Sequence, residues 1–138
     1  MKGIIFTGLL LLSTTLSAAS DAPVSLDITK GNLTAQRTEI MKAIGGNEYS
    51  ELADADRREL YKLLDAIEQN PSAAEQNLAN QKRANDILAA GHADSRMICR
   101  QVKEIGSNMS KRSCMTVAAK RRAAEKAKFD TATPIRIN

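Results

Sequence analysis

Cys99, Cys114 and the lone histidine His92 are the residues of this chain whose chemistry reaches beyond packing and charge. Two thiolates with an imidazole can bind a metal, cycle as a dithiol–disulfide couple, or supply a nucleophile and its base. The spacing matches no standard zinc pattern. A Ser-His-acid triad has only His92 to recruit, and His92 follows Gly91 at what reads as a helix exit, where a histidine suits the helix dipole without any catalytic duty. Carboxylate pairs occur at Glu48 with Glu51 and at Asp54 with Asp56. They lie on or before a helix start, where acidic residues are common for capping and dipole reasons. Gly45-Gly46 reads as a helix stop, not a phosphate cradle. No catalytic set, metal set or cofactor motif emerges.

The cysteines themselves read best as a staple. Ile98–Met115 runs ICRQVKEIGSNMSKRSCM, with Gly106-Ser107 midway. In a two-residue hairpin loop, paired positions sum to a constant, and Cys99 with Cys114 gives the same sum as Gly106 with Ser107. Glycine first is what a type II′ turn asks for, because that position needs a positive φ. Directly opposite Cβ atoms lie roughly 4.5–5.5 Å apart, within adjustment range of a disulfide. Counting out from that turn puts the cysteines at a hydrogen-bonded pair, the wider of the two kinds. A longer loop with another register is the alternative. By the chain-entropy model, closing a loop of about 15 residues contributes roughly 3 kcal/mol.

The start of the chain explains why the thiols are expected to be oxidised. Lys2 gives a positive n-region, Ile4–Leu12 an apolar h-region, and Ser17-Ala18-Ala19 a small-residue cleavage site, with Ala18-Ala19-Ser20 as its neighbour. This pattern predicts a signal peptide over residues 1–20 and a periplasmic or secreted protein. The apolar run is too short to span a bilayer, so no transmembrane segment is expected after cleavage. Two cysteines in an exported chain favour one intramolecular bond.

Charge is unevenly placed. From Asp21 to Ser95 there are 8 Lys/Arg against 13 Asp/Glu; from Arg96 to Asn138 there are 11 against 3. The basic half therefore either docks on the acidic half or meets an anionic partner. Arg100, Lys103, Lys111 and Arg112 decorate the hairpin, and Lys120, Arg121, Arg122, Lys126 and Lys128 the segment after it. These nine are the candidate partner-binding residues, toward an anionic envelope component or an acidic protein face. The competing reading is a solvated basic helix partly neutralised by the chain's own acids. Sequence-specific nucleic-acid binding lacks a motif.

The elements that must position these groups are mainly helical. Residues 21–31 read as a flexible mature N-terminus, although Val24, Leu26 and Ile28 alternate as in a short strand. A single small domain is expected over 32–129. Its first helix starts at Asn32 as cap and stops at Gly45. The second falls within Ser50–Gln69, with Leu60, Leu63, Leu64 and Ile67 on one face and Asp54 or Asp56 as cap. Asn70-Pro71 ends it and is expected to open a third helix, running to about Ala90 and closed by Gly91. The apolar members of that helix are Ala74, Leu78, Ile87 and Leu88, with Gln81 and Asn85 where bulk is expected. After the hairpin, Thr116 caps a basic helix from Val117 to about Phe129, rich in strong helix formers and without an apolar stripe. A loose tail, 130–138, follows. The core is thin, with Tyr49, Tyr61 and Phe129 the only aromatics after the signal sequence.

Tyr49-Ser50-Glu51-Leu52, Ala55-Asp56-Arg57-Arg58, Gln81–Leu88 (QKRANDIL), Ala93–Arg100 (ADSRMICR), Gly106-Ser107-Asn108 and Cys114–Ala118 (CMTVA) resemble a family of small exported two-cysteine bacterial proteins of uncharacterised function. The likeness covers roughly residues 36–124 and is most specific in the two-cysteine segment. It implies export, the cysteine pair and this layout, and it brings no mechanism. The third helix departs from it in being rich in Asn and Ala. The residues together predict a non-enzymatic interaction module. The alternative is a small envelope redox or metal-binding protein using Cys99, Cys114 and His92.

Overall fold

A computed structural model describes residues 22–103, 105–106 and 109–132. The expected signal peptide, Ser107 of the expected turn, and residues 133–138 of the expected tail lie outside them. The fold is mainly α with one hairpin: helices α1 (Leu33–Ile44), α2 (Asp54–Gln69) and α3 (Ala74–Ser95), strands β1 (Met97–Lys103) and β2 (Ser110–Thr116), then helix α4 (Val117–Ala132). Short 3-10 turns occupy Ile28–Lys30 and Asn47–Tyr49.

The α2 stripe forms the core as the periodicity predicts. Leu60, Leu64 and Ile67 are buried, and Leu63 and Tyr61 pack at its edge. Ile40 and Ile44 of α1 and Leu88 and Ile87 of α3 close over it. Ion pairs fasten the helices outside this core: Arg37 of α1 reaches Asp65 and Glu68 of α2, and Arg83 of α3 forks onto Glu59 of α2. The caps differ from expectation. Asn32 stands at the start of α1 in the left-handed region, with φ of 53°, and its side chain makes no cap bond. Ala53, not an aspartate, precedes α2; Asp54 and Asp56 sit inside its first turn, facing the helix dipole.

α3 departs most from the sequence reading. Pro71 does not open it. Residues 70–73 form a turn in which the Asn70 carbonyl accepts from Ala73 N–H and from the Asn77 amide, and this turn sends the chain back along α2. Nor does Gly91 close it. The helix runs on to Ser95, so His92 is an interior helix residue, half-buried with its ring 5.8 Å from that of Tyr49. Gly91 is needed for close approach instead. A Cβ there would meet Leu52 Cδ1 at 2.8 Å and Tyr49 Cδ1 at 3.3 Å. The buried stripe is Asn77, Asn80, Ala84, Ile87, Leu88, Gly91 and Ser95, while Ala74 and Leu78 are exposed.

The polar character of α3 has a structural use. Residues 22–31, expected to be flexible, dock on α1 and α3, and Leu26 is only 2% exposed. Gln81 and Asn85, along with Gln36 and Tyr49, hydrogen-bond the main chain of this N-terminal arm. Before its 3-10 turn at Ile28–Lys30 the arm has no regular secondary structure, and among the described residues it pairs with no strand. At the other end, α4 continues through Ala132, past the expected boundary of the loose tail.

Candidate interaction surface

The hairpin pairs antiparallel from Met97↔Thr116 to Lys103↔Ser110, and Cys99 stands opposite Cys114 in a disulfide. The register has the sum that the sequence predicts, and Gly106 has the positive φ, 88°. The parity is the opposite. The Cys99 and Cys114 Cα atoms are 4.0 Å apart, the close separation of a non-hydrogen-bonded pair. A second observation agrees. Val117 N–H donates to the Arg96 carbonyl, so 96 and 117 form a hydrogen-bonded pair. Alternation from there makes 99 and 114 a non-hydrogen-bonded one. This is the geometry a cross-strand disulfide favours, and it removes the difficulty raised by counting out from a two-residue turn.

Strand alternation sorts the hairpin residues onto two faces. Cys99, Gln101 and Lys103 share one face with Cys114, Arg112 and Ser110; both cysteines are exposed there. Ile98, Arg100 and Val102 share the other with Met115, Ser113 and Lys111. On this second face, Ile98, Arg100, Val102, Ser113, Met115 and Lys120 line a groove of about 280 Å³. Its floor is apolar and open to solvent: Val102 is 49% exposed and Met115 40%. Arg100 and Lys120 are among its lining residues, and the lining surface is almost wholly apolar. Lys120 comes from the first turns of α4, so the helix adds one side to a groove that the hairpin otherwise lines.

That start is fixed by a small polar cluster. Thr116 caps α4 as predicted, its Oγ1 accepting from Ala119 N–H. The same hydroxyl donates to Glu51 Oε1 at 2.6 Å, and Arg122 donates to Glu51 Oε2 at 2.9 Å. The Glu51 main-chain N–H donates to Ser95 Oγ. Arg121 forks onto both carboxylate oxygens of Asp94. Ala118, 2% exposed, is the one residue of α4 buried against the body among those described. The Arg122 guanidinium first, and the Thr116 hydroxyl after it, hold the Glu51 carboxyl below the usual carboxylate range.

The nine candidate residues therefore divide. Arg100, Lys111 and Lys120 belong to the groove face. Lys103 and Arg112 belong to the disulfide face. Arg121 and Arg122 are spent on Asp94 and Glu51, which is the internal docking that the charge asymmetry allowed for. Lys126 and Lys128 lie farther out on the exposed part of α4. Arg100, Lys103, Arg112, Lys120 and Lys126 make no ion pair among the described residues. Glu51 and Asp94 are the residues that sequence reasoning missed. Glu51 reads as one of several acids near a helix start, and only the excess of acid before residue 96 hinted at a docking partner for α4.

The structure gives the cysteines to each other, so neither thiolate is available to a metal set with His92. No cluster of three or more His, Cys, Asp or Glu suited to a metal occurs among the described residues. No helix among them is long and apolar enough to cross a membrane. Comparison with known protein families, with curated proteins and with solved structures returns no match.

Proposed function

We propose that this protein is an exported, non-enzymatic interaction module that binds its partner through the groove face of the hairpin and α4. One observation carries the reading. The helical body buries most of its apolar side chains, while this face leaves Val102 and Met115 open beside Arg100 and Lys120, which make no ion pair among the described residues. An apolar floor with two basic side chains at it suits a partner that presents acidic and apolar groups side by side. An acidic protein surface or an anionic envelope component has that chemistry. The disulfide and the lack of a spanning helix among the described residues are compatible with export, which rests on the N-terminal sequence pattern. The resemblance to small exported two-cysteine proteins supports the same reading.

The test uses the two faces against each other. Envelope material is crosslinked to the wild type, to a groove-face variant (Arg100→Glu with Lys120→Glu) and to a disulfide-face variant (Lys103→Glu with Arg112→Glu). Both variants carry the same charge change. The expected outcome is loss of the wild-type adduct in the first and retention in the second, with the wild-type adduct weakening as salt is raised. Equal retention in both, or equal loss, overturns the assignment to the groove. Export is checked by the intact mass from the envelope fraction: the chain should begin near Ser20 or Asp21 and take up alkylating reagent only after reduction.

A further inference from the structure

The N-terminal arm is held in an unusual way. Val24 N–H donates to Tyr49 Oη, Leu26 N–H to Asn85 Oδ1, Asp27 N–H to Gln36 Oε1 and Ile28 N–H to Gln81 Oε1. In return, Asn85 Nδ2 donates to the Leu26 carbonyl and Gln36 Nε2 to the Asp27 carbonyl. Asn85 and Gln36 each grip one residue at both its N–H and its C=O, as a neighbouring strand would. Among the described residues, no main-chain to main-chain bond joins residues 22–31 to the helices. The apolar residues alternate. Leu26 enters the core, with Val24 and Ile28 packed at its rim.

This is how an extended peptide is recognised. Main-chain bonds hold it regardless of sequence, and pockets select alternate side chains. The arm behaves as a ligand and the cleft of Gln36, Tyr49, Gln81 and Asn85 as its site. They are joined only through Gly31 and Asn32, two consecutive residues in positive φ, at 68° and 53°. Those two residues reverse the chain so that the arm folds back on its own helices.

We propose that the cleft is a peptide-binding site that also accepts the arm of a second copy of this chain, so that two copies can pair by exchanging residues 22–31. Every contact of residues 22–30 with the cleft is reproduced in trans; the hinge changes, and with it the bond that Gln36 Nε2 donates to the Gly31 carbonyl. In the exchanged form Gly31 and Asn32 leave positive φ, a conformation that glycine adopts freely and asparagine more readily than other residues. The tether opposes the exchange. A short linker gives the attached arm an effective concentration of order mM, so the closed monomer prevails when dilute.

The test is to disfavour the reversal without substituting any cleft residue. A Cβ at Gly31 meets nothing within 4 Å, so Gly31→Val acts on the backbone alone, placing a β-branched residue where φ is 68°. Light scattering should show the wild type as a monomer at low µM and Gly31→Val as a dimer. Adding Asn85→Ala to Gly31→Val should abolish the dimer. A folded Gly31→Val monomer overturns the proposal, as does a dimer that persists with Asn85→Ala. Should Gly31→Val not fold, the wild type itself gives the answer. Isotope-labelled and unlabelled protein, mixed at about 1 mM and read by native mass spectrometry, should form mixed dimers that Asn85→Ala lacks. Absence of mixed dimers there overturns the exchange.

Discussion

Among the described residues, 22–95 supply eleven of the twelve buried apolar side chains, and 96–132 supply one, Ala118. The large exposed apolar residues are distributed the opposite way. Met41 and Leu78 belong to the first region; Met97, Val102, Ile105, Met109, Met115 and Phe129 belong to the second. Both regions come from one small chain under the same pressure to bury area. The body meets it with three helices and a docked arm. The C-terminal limb — hairpin and α4 — is held by its strand ladder, a disulfide, the Thr116 cap and the ion pairs to Asp94 and Glu51, and leaves most of its large apolar side chains exposed. The proposed function places the partner on this open face.

The widest separation of the two regions should appear in core truncations. Leu88 is fully buried at the centre of the body. Leu88→Ala removes transfer energy and leaves a cavity, so it should cost about 2–5 kcal/mol. Val102→Ala, on the open floor of the groove, should cost about 0.5 kcal/mol or less. Urea denaturation of both variants measures the contrast. A Val102→Ala cost approaching that of Leu88→Ala would mean that the groove is covered in solution, and the comparison would fail at its central point.

How far the sequence reveals these regions follows from which forces set them. α2 was legible because its leucines recur at helical spacing and nothing competes with burial. The hairpin register was legible because the cysteines and the Gly-Ser pair share one midpoint. Its parity was not, since it depends on the hydrogen bonding from Arg96 and Val117 outward. α3 misled for a definite reason. Its stripe is Asn, Ala, Gly and Ser as well as Ile and Leu, and the amides serve a segment some fifty residues earlier in the chain (Leu26 to Asn85, Ile28 to Gln81). No local pattern reports such a partner. Gly91 misled in the same way: a glycine that admits Leu52 looks, in sequence, like one that ends a helix. In the candidate surface, the basic residues were legible as a set, while their division between two faces and an internal dock required the strands and Glu51 to be placed.

The disulfide gives a sharper cut between the regions. Replacing both Cys99 and Cys114 by serine removes a constraint worth roughly 3 kcal/mol in the chain-entropy model. That loss should fall on the limb. Amide exchange in Met97–Lys103 and Ser110–Thr116 should accelerate strongly, while α2 and α3 keep their protection. The body's fastening (Arg37 to Asp65 and Glu68, Arg83 to Glu59) contains no atom of the hairpin. Faster exchange throughout α2 and α3 would show instead that body and limb unfold as one unit.

The smallest effect concerns the joint itself. Glu51 is ionised when it accepts from Arg122 and Thr116, and that pairing depresses its pKa in the folded state. A depressed carboxylate pKa contributes stability above the unfolded value, about 4.3 for glutamate, and the contribution is lost as pH falls through the lower, folded pKa. The sign is therefore fixed: acid should loosen the limb from the body. Because Glu51 is only partly buried and its partner Arg122 is exposed, solvent and salt screen the pair and the change should be modest. Amide exchange at Ala118 and Ala119, compared with Leu64 as an internal reference, reads it directly. Glu51→Gln should flatten the acid step at Ala118 and Ala119. Glu59→Gln should not, since Glu59 pairs with Arg83 inside the body. An acid step that survives Glu51→Gln would move the joint elsewhere, with Asp94 and its fork to Arg121 the next carboxylate to neutralise.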